Sequence, residues 1–319
     1  MDLSIIIPCY RSAGTIETVV SEIRDVFARR SNLKYEIILV NDGSPDHTYE
    51  VIKRLVADNN DIVGIDIAKN QGQHSAVMAG MRHSLGNLVM VSDDDGQTPI
   101  EVFLRMIDKI DEGYDIVCAD YEGRGKRSLI RTLGSAVNDW MMKRLLDKPD
   151  DVPTSINFVA KRFVIDEMLR YENPFPYITG QMIRTTHNIG SVVVDQHDRL
   201  SGESGYNFRS LLALWTAGVT TFSVKPLRFA TFAGASVAFI GFIMALILVI
   251  GKVAGRDMAT GWTSLITVNL LIGGMLMLML GIVGEYLGRI YLSINKSPQY
   301  VIREIIGRHD EKDIKADKE

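Results

Sequence analysis

The segment Ser92-Asp93-Asp94-Asp95-Gly96-Gln97 sets three consecutive carboxylates directly behind the apolar run Leu88-Val89-Met90-Val91. Side chains alternate along a strand, so Asp93 and Asp95 lie on one side and can offer hard oxygen ligands to Mg²⁺ or Mn²⁺. Such ions hold substrate phosphates while keeping several of their waters. Most short charge runs are solvated turns. This one stands at the carboxyl end of a strand pattern, in a chain with further polar motifs at the ends of other strands, and that placement favours the metal. Asp94, between the two, is expected on the opposite face of the strand end.

The elements that must position this cluster are legible as alternating short β-branched runs and amphipathic stretches, the pattern of a mostly parallel sheet covered by helices. Strands are expected at 3–7, 35–40, 62–67, 88–91 and 115–119, and helices at about 16–29, 48–58, 74–85 and 99–112. The last helix opens with Pro99, whose missing N–H costs nothing in a first turn. The fold class is doubly wound α/β. Ligands of such sheets bind beyond the carboxyl ends of the strands, where Pro8 and Tyr10, then Asn41-Asp42-Gly43-Ser44, then Asp93 to Gln97 all fall. No Gly-x-Gly-x-x-Gly follows the first strand and no Gly-x-x-x-x-Gly-Lys-Ser/Thr occurs, so neither a nicotinamide dinucleotide nor a P-loop nucleotide is indicated. Asp42 can accept from a base N–H, while a plain Asp-Gly-Ser turn explains the same residues equally well.

The second half is a different material. Residues 229–251 carry no charge and would make a helix about 34 Å long, enough for a bilayer core. Residues 265–287 form a second apolar run with one charge, Glu285. Two such lengths joined by a short polar loop, 252–264, read as a transmembrane hairpin. Lys225, Arg228, Arg289, Lys296 and Arg303 flank it on the side of the chain ends, against Lys252 and Arg256 in the loop, so the positive-inside rule puts both termini and the large domain in the cytoplasm. The opening MDLSIIIPCY has an apolar run too short for a signal-peptide core. Cys9 and Cys118 are the only cysteines, which offers no disulfide framework and suits a reducing compartment. A net charge of −4 argues against a nucleic-acid partner. Residues 207–228 read as an interfacial or domain-packed helix with Trp215 and Phe222 suited to a headgroup layer, and residues 288–319 as a cytoplasmic tail whose charged end, from Arg308, is expected to be disordered.

Taken in order, IIIPCYRSAGTI, VNDGSPDHT, NQGQHSAVMAG, SDDDGQTP, RLSGESGYNFR and GEYLGRIY resemble the polyprenyl-phosphate glycosyltransferases of glycosyltransferase family 2. The resemblance runs from residue 3 to about residue 301, and bacterial members with two transmembrane helices are the most similar. It implies a GT-A domain, Rossmann-like with a mostly parallel sheet, over 1–206, followed by the hairpin. It also implies an inner (cytoplasmic) membrane location and a homo-oligomer, and it allows a flippase downstream.

By the same resemblance, Pro8, Tyr10 and Asp42 line the nucleotide pocket, and Asp93, Asp95 and Gln97 hold the metal and donor diphosphate. Arg199 and Ser204 belong to a loop that closes over the donor phosphates, and Arg131 and Ser135 meet the lipid phosphate. This chain departs from the family at Arg11-Ser12, where Asn-Glu is common, at Ser204-Gly205-Tyr206, where a phosphate-binding Lys is replaced with only Arg209 nearby, and at Thr154-Ser155-Ile156-Asn157-Phe158.

The implied reaction is inverting transfer of a sugar from a nucleotide-diphosphate sugar, expected to be a UDP-sugar, to undecaprenyl phosphate for a cell-envelope glycan or lipid. Mg²⁺ or Mn²⁺ would stabilise charge on the departing phosphate, with Arg199 as a second positive group. The acceptor is already ionised, so the site needs positioning and neutralisation by Arg131 more than a strong base. Two alternatives remain. A processive polysaccharide synthase would bring more membrane helices and a Gln-x-x-Arg-Trp motif, in which none of Trp140, Trp215 and Trp262 sits. A non-catalytic membrane adaptor would have no use for intact Asp93, Asp95 and Gln97.

Overall fold

The computed structural model describes residues 1–30, 33–121, 153, 155–195 and 261–307, with scattered helical residues between 232 and 250. It divides into two units, one of Met1–Leu214 with Lys296–Glu319, the other of Trp215–Asn295.

The first unit is built on an eight-stranded sheet. Its strands are β1 (Leu3–Cys9), β2 (Tyr35–Asn41), β3 (Ile62–Ile67), β4 (Leu88–Val91), β5 (Ile116–Asp120), β6 (Phe158–Lys161), β7 (Ile189–Val193) and β8 (Ile302–Ile306), in the order β7-β5-β6-β4-β1-β2-β3-β8. β1, β2, β3 and β4 are mutually parallel, β7 is parallel to β5, and β6 and β8 run antiparallel to their neighbours. The mostly parallel α/β sheet expected from the sequence is present. β6, β7 and β8 lie beyond the strands that the apolar pattern marks, and β8 forms inside the stretch 288–319 read above as a tail.

Buried residues of β1 and β2 alternate between two cores, as a sheet covered on both faces requires. Ile5, Ile7, Ile37 and Leu39 face helices α1 (Ile16–Phe27), α2 (Thr48–Asp58) and α4 (Glu101–Asp111), with Phe27 and Phe103 fully buried among them. Ile6, Ile38 and Val40 face the other way, towards α3 (Gln73–Arg82), α5 (Arg162–Leu169) and α6 (Ile178–Thr185). Cys9 and Cys118 are buried free thiols within these cores.

β4 is entered through a polar knot. The backbone N–H of Leu85 donates to Glu36 Oε1 at 2.8 Å, that of Gly86 donates to Ser4 Oγ at 2.8 Å, and Ser4 Oγ donates to Glu36 Oε1 at 2.6 Å. Glu36 is buried and Ser4 fully so, and burying them is tolerable only because these bonds satisfy them. The knot sets where β4 starts beside β1, and hence where its far end delivers the carboxylates.

The second unit contains α7 (Trp262–Ile294), 33 residues or about 50 Å long. Within it Leu271–Ile294 is long and apolar enough to cross a membrane, with none of it buried inside the molecule. Leu271, Met277, Leu278 and Leu280 are each about two-thirds exposed or more. The apolar run therefore continues past residue 287, where the sequence reading ended it, and Glu285 lies inside the helix. The side chain of Arg289 is outside the described residues. In the first apolar run, Gly234–Ile243 is a shorter apolar helix.

A Cβ on Gly86 would stand 2.5 Å from Ser4 N, 2.6 Å from Leu3 C and 2.7 Å from Leu88 O, all backbone atoms that cannot turn aside. Gly86→Ala is therefore expected to cost about 1–3 kcal/mol, the range of overpacking in a filled core. A denaturant midpoint equal to that of the parent chain would show that the β1–β4 junction yields freely.

Candidate functional site

The site is assembled at the carboxyl edge of β4, β1 and β2. Their registers, Ile6 opposite Val91 and Cys9 opposite Asn41, bring the segments 10–12, 42–44 and 92–97 side by side. Short polar bonds then tie these loops together. Asp42 N donates to Cys9 O at 2.9 Å, Arg11 N to Ser44 Oγ at 3.2 Å, and Tyr10 N to Asp94 Oδ2 at 3.2 Å. Ser12 Oγ makes a close hydrogen bond to the same Asp94 oxygen. Asp94 thus holds the β1 loop.

These ties stabilise an unfavourable backbone. Arg11 has φ 59°, a left-handed conformation that costs an L-residue about 1–2 kcal/mol. Its N–H bond and those of its neighbours are of comparable worth, about 1 kcal/mol each, and hold it. The result displays Tyr10, 44% exposed, with the Arg11 guanidinium 5.6 Å from its ring centre. Pro8 is buried within the last residues of β1. Gly43 also has positive φ, 58°, and a Cβ there would meet Asn70 N at 2.5 Å. Only glycine permits that approach.

Asp42, 3% exposed, accepts from Gln71 N and Gly72 N, both at 2.8 Å. Burial raises its pKa above the ordinary carboxylate value, and these two N–H groups oppose the rise. The carboxylate thereby fixes the start of α3 against the end of β2. Any base contact by Asp42 would use its remaining lone pairs.

Fixing α3 places Gln73, whose Nε2 donates to Asp93 Oδ1 at 2.8 Å. From the far side Asn157 Nδ2, just ahead of β6, donates to Asp93 Oδ2 at 2.8 Å. Asn157 also reaches Thr98 Oγ1 at 3.0 Å and the Tyr121 hydroxyl, and those two hydroxyls lie 2.7 Å apart. Both Asp93 oxygens are therefore gripped by amides. Desolvation pushes its pKa up to about 6; the two amides oppose that shift, and the charges of Asp95 and Asp94 add to it. Asp94 is raised likewise, chiefly by burial, with Ser12 and the Tyr10 N–H working against it. Asp95 Oδ1 accepts from Gln97 N at 3.1 Å, across a turn in which Gly96 has φ 68°.

The donor chemistry fits Mg²⁺ or Mn²⁺. Among the described residues no group of three or more His, Cys, Asp or Glu side chains is placed so that it could hold a metal ion by itself. Asp93, Asp95 and Gln97, close together in sequence at one strand end, are hard oxygen donors of the kind that such ions take together with water and substrate phosphate. A cation would also relieve repulsion among the three adjacent carboxylates.

Of the site residues expected from the sequence, Pro8, Tyr10, Asp42, Asp93, Asp95 and Gln97 are brought to this one edge. Arg131, Ser135, Arg199, Ser204 and Arg209 lie outside the described residues. Sequence reasoning missed Gln73, Thr98 and Tyr121, and it missed the bond between Asp94 and Ser12. Two of the contacts had a signal. Gln73 lies in the NQGQHS motif, and Asn157 in a segment that departs from the family pattern.

His74 follows Gln73 and is partly buried, its Nδ1 near Ile178 N at 3.5 Å and its ring edge-on to Tyr177 at 5.3 Å. Desolvation lowers its pKa to about 4. The folded chain keeps this ring neutral where the unfolded chain, near 6.5, takes up a proton. Stability contributed here is complete above about pH 6.5 and falls towards pH 4, by up to about 1.4 kcal/mol per pH unit. His74→Asn is expected to narrow the gap between urea midpoints at pH 7 and pH 4.5. An unchanged gap would mean that His74 takes no part in acid sensitivity.

Residues 4–185 match the family described as Glycosyl transferase family 2. The chain is 32% identical over 304 residues to the uncharacterized glycosyltransferase YkcC of Bacillus subtilis (strain 168), covering 95% of this chain and 94% of that one. It is 29% identical to the undecaprenyl-phosphate 4-deoxy-4-formamido-L-arabinose transferase of Klebsiella pneumoniae (strain 342), over 95% and 93% of the two chains. Among solved structures, glucosyl-3-phosphoglycerate synthase from Mycobacterium tuberculosis in complex with phosphoglyceric acid superposes with a TM-score of 0.51 at 16% identity, covering 69% of this chain and 78% of that one. The same synthase in complex with Mn²⁺, UDP and phosphoglyceric acid gives 0.50 at 16% identity, covering 69% and 76%. These two likenesses bear on the fold alone. The chain belongs to glycosyltransferase family 2, and its sheet is GT-A-like.

Proposed function

We propose that this family 2 glycosyltransferase transfers a sugar from a nucleotide-diphosphate sugar, with UDP the expected nucleotide, to undecaprenyl phosphate at the cytosolic face of the inner membrane, inverting the anomeric centre. The observation that carries the reading is the grip of Gln73 and Asn157 on Asp93, beside Asp95 and Gln97, where the loops carrying Tyr10 and Asp42 meet. Support for the acceptor comes from the Klebsiella pneumoniae relative, named for transfer to undecaprenyl phosphate, because its likeness runs through the apolar second half as well as the sheet.

In this reading a divalent ion, when bound, supplies the positive charge that the departing diphosphate needs. Asp93, Asp95 and Gln97 would hold it. Gln73 and Asn157 keep the Asp93 carboxylate from turning, so its geometry is set before substrate arrives. Tyr10 offers a ring face to the nucleotide and Asp42 its remaining acceptor capacity. Arg199 and Ser204 are proposed for the donor phosphates, and Arg131 and Ser135 for the lipid phosphate. The acceptor arrives ionised, so no strong base is needed.

Two crossings of the bilayer, with both termini cytoplasmic, belong to the same proposal. What supports them is the pairing of β8 with β3. A hydrogen-bonded sheet cannot be divided by a bilayer. If α7 crosses once, the chain between β7 and β8 must therefore cross a second time, and residues 229–251 are the other apolar run.

The test is transfer from a panel of radiolabelled nucleotide sugars into the lipid extract of vesicles containing undecaprenyl phosphate. Inverted vesicles, with the cytosolic face outward, are expected to label the lipid from one UDP-sugar when Mg²⁺ or Mn²⁺ is present, and right-side-out vesicles are not. Asp95→Asn is expected to lower the rate at least a hundredfold, about 2.7 kcal/mol of transition-state stabilisation. Labelling that ignores metal removal and survives Asp95→Asn would overturn the assignment.

A further inference from the structure

We infer that Arg303, from the strand that follows α7, is a positioning residue for the nucleotide loops, acting through Asp66 and Asn41. The inference rests on the donor site proposed above. β8 pairs with β3 in register at Gly64–Ile306, Ile65–Ile305 and Asp66–Glu304, after which Ile67 pairs with Ile302. Arg303 is the extra residue of a bulge. Bulges re-aim side chains, and this one lays Arg303, its side chain still 62% exposed, across the end of β3. Its Nη1 lies 2.8 Å from Asp66 Oδ2 and its Nη2 2.9 Å from Ala68 O. The neighbouring Glu304 binds α2 instead, accepting from Tyr49 OH at 3.0 Å and lying 3.3 Å from Lys53 Nζ.

Asp66 is 1% exposed. A carboxylate so placed needs a partner, and Arg303 is its cation. The other oxygen of Asp66 accepts from Asn41 Nδ2 at 2.7 Å. An ionised carboxylate only accepts hydrogen bonds, so Asn41, itself 3% exposed, must turn its NH₂ towards Asp66. Its Oδ1 then faces the β2 loop and accepts from Ser44 N at 3.3 Å. Ser44 in turn holds Arg11 N at 3.2 Å. One relay thus runs from β8 to the loops on both sides of Asp42 and Tyr10. A side chain serving only to neutralise Asp66 would need no such continuation. The expected consequence is that the donor pocket takes its final shape only when β8 is docked.

The test uses the full-length protein in detergent, with two readouts at a temperature where circular dichroism shows every variant folded. Hydrogen exchange over residues 41–48 reports the relay, and calorimetric titration with UDP and Mn²⁺ reports the pocket. Arg303→Met is expected to speed exchange in that segment and to weaken UDP about tenfold, with unchanged exchange in β5 and α4. Combining it with Asp66→Asn removes both charges while leaving an acceptor for Asn41, and is expected to restore slow exchange and to bring UDP affinity within about threefold of the parent. Exchange over 41–48 that does not respond to Arg303→Met, or that the double variant fails to restore, would overturn the inference. Exchange that responds as expected in a parent chain that binds no nucleoside diphosphate would uphold the relay and overturn the donor reading.

Discussion

Three adjacent carboxylates at the end of β4 repel one another, and the arrangement of the site follows from how that repulsion is met. Asp94 turns to the β1 loop, where Ser12 and the Tyr10 N–H receive it. Asp95 accepts from the backbone of its own turn. Asp93 is drawn inward between two amides, against a desolvation strong enough to bring its pKa to about 6. A group so raised is destabilising at neutral pH, and a site that keeps it gains by binding a cation there. The parallel sheet puts this cluster beside the ends of β1 and β2, so the cation would lie within reach of the loops that carry Tyr10 and Asp42.

Much of this frame is legible in the sequence because it is written in apolar periodicity. The runs at 3–7, 35–40, 62–67 and 88–91 are rich in Ile, Leu and Val, and the strands formed there are almost wholly buried on both faces. β6 reads FVAK, ending in a charge, and β8 reads IREII, with charges in the middle, so neither has a clear apolar pattern of its own. Both exist because a neighbouring strand offers an edge, which is a tertiary fact. The same holds for the site. Asp93, Asp95 and Gln97 are local in sequence, whereas the grip on Asp93 comes from residues 73 and 157 and could be seen only once α3 and β6 were placed.

Arg303 shows how far a local reading can miss. Counted in the sequence as one of several basic flanks of a membrane segment, it is a member of the sheet, paired to a buried aspartate. That pairing closes the exposed edge of β3, which would otherwise present unpaired backbone groups. It also makes the stretch after α7 part of the same unit as the N-terminal strands. Composition alone sets the stretch after α7 apart as a tail, whereas Ile302–Ile306 of that stretch is a strand of the sheet.

We propose the end of β4 as a divalent-metal site shared with a nucleotide. Crystals of the full-length protein grown with Mn²⁺ and UDP, measured at the manganese absorption edge, test it most directly. The anomalous map is expected to show one manganese bound by Asp93, Asp95 and Gln97 and by the diphosphate, with the nucleotide against Tyr10 and Asp42. A diphosphate bound with no manganese at those side chains, or a manganese elsewhere on the sheet, would contradict it.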